Sequence, residues 1–243
     1  MTTTTRPAAP DAPRDPEAVD GQIPQQGGTP RAGRSRAYTN WVLQVCREDA
    51  GARSALRSGL GKDLDSVRRM HRLVAPWLPE QRSADVERAY YTVAAMIAAQ
   101  PRSALAVPDL TPPIGQDDAA PTRWRRRASL GTAFAVAVTE GPGREKEMRA
   151  GTAESRLNLL TRQSVNGLHR HLPASVGYLR TLGVDVDWSQ LLDDLGNWRK
   201  HSGRISRTWL QDFYRLRDQE AARRAYDADE GELAAGPTGP ASP

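Results

Sequence analysis

DWSQLLDDLGNWRK (Asp187–Lys200) runs straight into HSGRISRTWLQDFYR (His201–Arg215), and the apolar spacing in these two pieces decides the fold class. Trp188, Leu191, Leu192, Leu195 and Trp198 recur every three or four residues, the period of a helix with one buried face. Asp187 stands where an N-cap carboxylate would accept the first free backbone amides. Gly203 is expected to end this helix. Beyond it Ile205, Trp209, Phe213 and Leu216 form a second apolar stripe, with Arg204, Arg207, Gln211 and Arg215 on another face. The pair reads as a helical hairpin, one face needing a core and the other offering guanidinium groups to a polyanion.

Upstream the same period continues from Glu154. Leu157 and Leu160 mark one helix; Val165, Leu168, Leu172, Leu179 and Leu182 mark a longer one. Pro173 falls inside the longer helix and is expected to kink it or start a new turn, and Gly183 to stop it. Tyr38, Trp41, Val42, Val45 and Cys46 make the first stripe of the chain, and a short helix follows near 52–60. Asp65 is expected to cap a helix with Val67, Met70, His71, Val74 and Trp77 inside and Arg68, Arg69 and Arg72 outside, closed by Pro76 and Pro79. Ser83 caps the next, with Asp85 and Glu87 in its first turn, where acids suit the helix dipole, and Val86, Tyr90, Val93 and Ile97 buried. A weaker apolar run covers Leu130–Val138. No segment shows a convincing strand period, so the expected class is all-α.

Residues 1–37 and the end of 217–243 are rich in Thr, Pro, Gly and Ala and lack any period, the composition of disordered tails. The division expected is therefore a tail (1–37), an N-terminal helical part with a Pro-rich loop at Pro101–Pro121 (38–121), a basic segment with a C-terminal helical part (122–216), and a helix end dissolving into a tail (217–243). Residues 38–216 hold 26 Lys+Arg against 19 Asp+Glu, a net +7, whereas 217–243 hold 3 against 6, a net −3. Lys62, Lys146 and Lys200 are the only lysines, and arginine is the better residue for forked contacts to phosphate. Cys46 is the only cysteine, which excludes an internal disulfide and suits a reducing compartment. No stretch approaches the ~20 apolar residues of a membrane span, and a cytoplasmic, membrane-free protein is expected.

Little in the chain asks to be an active site. His169 and His171 lie two residues apart, about 200° around a helix, which suits a shared metal poorly; His71 on its apolar face reads as a core residue. Asp193 and Asp194 read as a solvated helix face. No phosphate-loop, dinucleotide or nucleophile-elbow motif is present. No catalytic residue, metal or cofactor is expected. The basic clusters are stronger: Arg123, Arg125, Arg126 and Arg127 surround Trp124, and the second hairpin helix lacks acids along its basic face. Such clusters hold a nucleic-acid strand by its phosphates without reading its sequence. Loosely solvated charge, or a protein scaffold docking its basic faces on acidic partners, stands as the alternative.

In order, the words YTNWVLQVCRED, HRLVAPWLP, RAYYTVAAMIA, ESRLNLLTRQ, HRHLPASVGYLRTLGVDVDW and RISRTWLQDFYR resemble the CasB family, the small subunit of the type I-E CRISPR surveillance complex Cascade. The resemblance spans Tyr38 to Arg215. It implies an all-helical bundle in two small lobes, dimerising head to tail within a complex and touching the other Cascade subunits, crRNA and target DNA. It also implies no enzymatic activity, cleavage belonging to a separate helicase-nuclease, and a part in holding the displaced strand of the R-loop. R-loop exchange is nearly balanced, so backbone contacts can tip it. Carried over position by position, the resemblance assigns nucleic-acid contact to Arg57 and Lys62, to Arg156, Arg162 and Arg170, to Arg199, Lys200, Arg204 and Arg207, and to the inter-lobe Arg123, Arg125, Arg126 and Arg127. Arg156 has an alternative, pairing with Glu154 or a core carboxylate.

Overall fold

A computed structural model describes residues 31–105, 128–139 and 148–235. Among them all regular structure is helical: α1 (Arg31–Glu48), α2 (Ala50–Arg57), α3 (His71–Val74), α4 (Ala84–Ala99), α5 (Leu130–Val138), α6 (Ala150–Thr161), α7 (Val165–Thr181) and α8 (Trp188–Ala235), with short 3-10 turns between them. The all-α expectation holds. Caps fall where the side chains allow them: Asp49, Ser83, Ser129 and Ser164 each accept an amide of the first turn of α2, α4, α5 and α7. Asp187 does the same for α8, accepting the Gln190 amide at 2.9 Å.

Two boundaries differ from the sequence reading, and two others fall within it. Helix α1 begins at Arg31, inside the expected tail, because Ser35 is buried and donates to Asp193 of α8 at 2.6 Å. The expected helix from Asp65 to Trp77 is instead three 3-10 turns and the single α-turn α3. Val67 leaves helical geometry (φ −105°, ψ 37°) with its side chain buried, and Pro76 can donate no helical bond. Helix α7 continues through Pro173 and ends at Gly183, whose φ of +73° is the left-handed value that glycine takes without a Cβ penalty. Helix α8 runs to Ala235, so the helix end expected at the start of 217–243 extends the last helix. Residues 1–30 and 236–243, and most of the Pro-rich loop, lie outside the described residues. The start of that loop is a 3-10 turn, Arg102–Leu105, with Leu105 buried.

Helix α8 organises the whole. At His201 its backbone leaves helical geometry (φ −137°, ψ 23°), two residues before the expected break at Gly203. The Trp209 indole then donates to Asp194, 15 residues earlier, at 2.8 Å; a straight helix would separate them by about 22 Å. The chain therefore folds back on itself, with the Trp198 and Trp209 rings 5.1 Å apart. Residues 188–200 pack on α1 and α4; residues 202–216 pack on α5 and α6. The buried apolar residues of both parts form one continuous core. In that core Gly131 of α5 sits so near the Trp209 carbonyl that a Cβ would stand 1.8 Å from the oxygen.

Candidate nucleic-acid interface

The fold-back of α8 gathers basic residues that are scattered in sequence. The Trp198 indole donates to the Gln163 carbonyl at 3.0 Å, and the Ser206 hydroxyl donates to the Thr161 carbonyl at 3.1 Å. Both arms of α8 thus grip the turn between α6 and α7, and Arg162 lies between the two gripped residues. Lys200, Arg204 and Arg207 flank the gripping residues along α8. All four cations are exposed, and none has a carboxylate within ion-pair distance among the described residues. An unpaired cluster of this kind raises the local potential and offers several donors to one anionic chain.

Other assigned cations have different surroundings. Arg199 is held by Asp85 in a forked ion pair from α8 to the first turn of α4, one N–O distance being 2.9 Å. That hydrogen bond holds the Asp85 carboxyl below its ordinary 3.8, and raises the Arg199 pKa. Its guanidinium is occupied, so Arg199 acts first as a clamp between α4 and α8. Arg156 lies over the Tyr178 ring at 4.8 Å, a cation–π contact. Its alternative partner, Glu154, instead accepts from the Tyr214 hydroxyl at 2.7 Å and lies 4.0 Å from Arg217. Arg170 is exposed on α7, Arg57 ends α2, and Lys62 follows it; all three are exposed. Arg123, Arg125, Arg126, Arg127 and Trp124 lie outside the described residues. Arg215, read as lacking an acid along its own face with Asp212 one residue off it, is 3.8 Å from Asp212.

Two further readings are corrected. Asp194 is not on a solvated face: it is buried and accepts from Gln190 and Trp209, each at 2.8 Å, while Asp193 accepts from Ser35. His71 is exposed rather than in the core, its Nδ1 2.7 Å from the Tyr91 hydroxyl. The buried histidine is His169, with Nδ1 2.9 Å from the Thr92 hydroxyl and Nε2 without a hydrogen-bond partner among the described residues. Burial, reinforced by nearby Arg88, lowers its pKa to about 4 and keeps it neutral. Sequence reading missed Arg180. It is buried and bonded to Gln100, Ala104, Val184 and Asp185, tying the end of α7 to the end of α4; only its position inside the apolar period of α7 hinted at this. Among the described residues no group of three or more His, Cys, Asp or Glu could hold a metal ion, and no helix is long and apolar enough to cross a membrane.

Comparison with known proteins bears on the chain as a whole. The family model described as CRISPR-associated protein Cse2 matches residues 52–214. A solved chain from a "CRISPR RNA-guided surveillance complex" is 35% identical, with 81% of this chain and 99% of that chain covered and a TM-score of 0.66. A second, from a "CRISPR RNA-guided surveillance complex, pre-nicking", is 37% identical over 80% of this chain and 98% of that chain, with a TM-score of 0.65. CasB from Thermus thermophilus shares the fold at 19% identity over 74% of this chain and 97% of that chain, with a TM-score of 0.51. No curated protein matches the chain significantly.

Proposed function

Because the chain belongs to the CRISPR-associated Cse2 (CasB) family, we propose that it is a non-catalytic structural subunit of an RNA-guided surveillance complex. In that complex it would touch crRNA and target DNA and steady the displaced strand of the R-loop by its phosphates. Two copies packed head to tail would lengthen the basic track. The observation that carries this reading is the cluster of Arg162, Lys200, Arg204 and Arg207, exposed and, among the described residues, without carboxylate partners around the α8 fold-back. Contacts made by such cations are to backbone, so they hold a strand of any sequence and weaken with salt.

The first test is co-purification of the tagged full chain with the products of its neighbouring genes. A stoichiometric complex containing a short RNA of uniform length is expected; a complex without RNA would overturn the assignment. Within the complex, Arg204→Ala with Arg207→Ala should weaken target-strand binding for all sequences. Two lost contacts at about 0.7 each reduce the log–log salt slope by about 1.4. Unchanged affinity and slope would remove this face from the interface. Loss of the other subunits with strand binding intact would instead favour a scaffold that docks basic faces on proteins.

A further inference from the structure

The cleft where α1, α4 and α8 meet takes no part in the basic surfaces described above. It is a hollow of about 300 Å³. Tyr90 and Leu192, two residues of the core, line it together with Val86 and Pro79, which are half-buried. Arg34, one turn into α1, lines it as well; it is half-buried and makes no hydrogen bond or ion pair among the described residues. The hollow's own carboxylate, Asp193, accepts from the Ser35 hydroxyl at 2.6 Å and does not come within ion-pair distance of Arg34. The first turn of α1 carries no acid, although this is the end of a helix that favours negative charge. A guanidinium partly withdrawn from water without a carboxylate is incompletely satisfied. Beside an apolar hollow it suits a peptide that sets an acid next to aliphatic side chains.

The chain carries such a peptide within reach. Residues 15–24 read DPEAVDGQIP, with Asp15, Glu17 and Asp20 as acids and no Lys or Arg. Val19 and Ile23 are the only branched aliphatic side chains in residues 1–30. Asp20 stands between them, so one short segment offers both kinds of contact that the hollow calls for. Ile23 precedes Arg31, the start of α1, by eight residues. At about 3.3 Å per residue that connection spans up to about 26 Å, while Arg34 lies only about 4.5 Å along the helix axis from Arg31. The tether therefore reaches the hollow with slack. It also holds the peptide at an effective concentration on the order of 1 mM, where a weak contact is filled. The other end of the chain does not match: residues 236–243, GPTGPASP, hold neither an acid nor a branched aliphatic side chain.

We propose that this hollow is the docking site of the chain's own residues 15–24, with Val19 and Ile23 against its apolar wall and Asp20 on Arg34. The contact straps the N-terminal segment across the junction of α1, α4 and the first arm of α8. It covers apolar surface that would otherwise stand open to other chains, and it gives Arg34 the carboxylate it lacks. The site goes beyond the nucleic-acid reading and does not depend on it, since neither Arg34 nor the hollow belongs to the cations assigned to a strand.

The test is photo-cross-linking in the full chain, with a benzophenone side chain placed at Gln22 and the products mapped by mass spectrometry. Isotopically light and heavy chains are mixed before irradiation, so that links within one chain are told from links between two. Links from position 22 to the neighbourhood of Val86, Tyr90 and Leu192 within one chain are expected. Val19→Ser with Ile23→Ser leaves every core residue untouched and should abolish them. Arg34→Asp should lower their yield about fivefold, the factor carried by a partly exposed ion pair, and adding Asp20→Arg should restore it. Unchanged yield in either the serine variant or Arg34→Asp would overturn the proposal, as would links that fall outside the hollow. Links joining light to heavy chains would give the hollow to a second copy. Irradiation repeated in the purified complex covers the remaining occupant: links from position 22 only to other subunits would show the segment docking on a partner instead, and the strap would be rejected.

Discussion

The two arms of α8 have similar sequences and opposite fates. Residues 188–200 and 202–216 are both amphipathic, both carry tryptophan and leucine inside, and both carry arginine and aspartate outside. In the first arm three of the four charged groups are consumed by the fold, Asp193 by Ser35, Asp194 by Trp209 and Arg199 by Asp85, and only Lys200 at its end is left exposed. In the second arm Arg204 and Arg207 remain in solvent with no ion-pair partner among the described residues. An amphipathic pattern therefore says which face a helix buries, but not whether the charges on its polar face are structural or available. Tertiary packing sorts them, because each partner in the first arm comes from a distant part of the chain.

The contrast can be broken at its joints. The largest effect is expected at the contact that positions the second arm. Gly131→Ala places a Cβ 1.8 Å from the Trp209 carbonyl oxygen, so α5 or the arm must move. Overpacking of this severity costs about 3 kcal/mol, to be read by urea denaturation; a wild-type midpoint would mean the arm is not held there. Next comes the bond that folds one arm onto the other. Trp209→Phe keeps most of the ring but leaves buried Asp194 short of a donor, a loss of about 2 kcal/mol. Wild-type stability in this variant would show that the fold-back rests on apolar packing alone.

The smallest effect concerns the Arg199–Asp85 clamp and is best seen against pH. A carboxyl whose folded pKa lies below its unfolded value stabilises the fold above the ordinary 3.8, and that contribution disappears as pH falls through the lowered value. Arg199→Ala should therefore melt below the wild type at neutral pH, and the gap should close as the pH drops below about 4. Unchanged melting together with a shallower salt slope for strand binding would move Arg199 from the first arm's structural set to the second arm's functional one.

Much of the molecule was legible in the sequence. Periodicity located α4, α7 and both arms of α8, and Ser83 and Asp187 cap as read. Ordered words such as HRLVAPWLP and RISRTWLQDFYR carried the family resemblance, and the match to the Cse2 family agrees with it. The site was legible only in part. Arg162, Lys200, Arg204 and Arg207 emerged as exposed, but their assembly around one turn depends on Trp198 and Ser206 gripping Gln163 and Thr161. Arg68, Arg69 and Arg72 were visible as the outer face of an expected helix, which the structure breaks into 3-10 turns and the short α3.

By itself, then, the sequence determined what neighbours within a turn or two can determine: helix, cap, apolar face and the left-handed stop at Gly183. Tertiary structure alone decided the break at His201 rather than Gly203, the need for glycine at 131, and the burial of Asp194. It also chose Asp85, 114 residues away, as the partner that occupies Arg199. The physical reason is range. Helical bonds and side-chain periodicity act over three or four residues and leave their mark on local sequence. Ion pairing and close backbone approach depend on which surfaces the core brings together, and no local pattern records that.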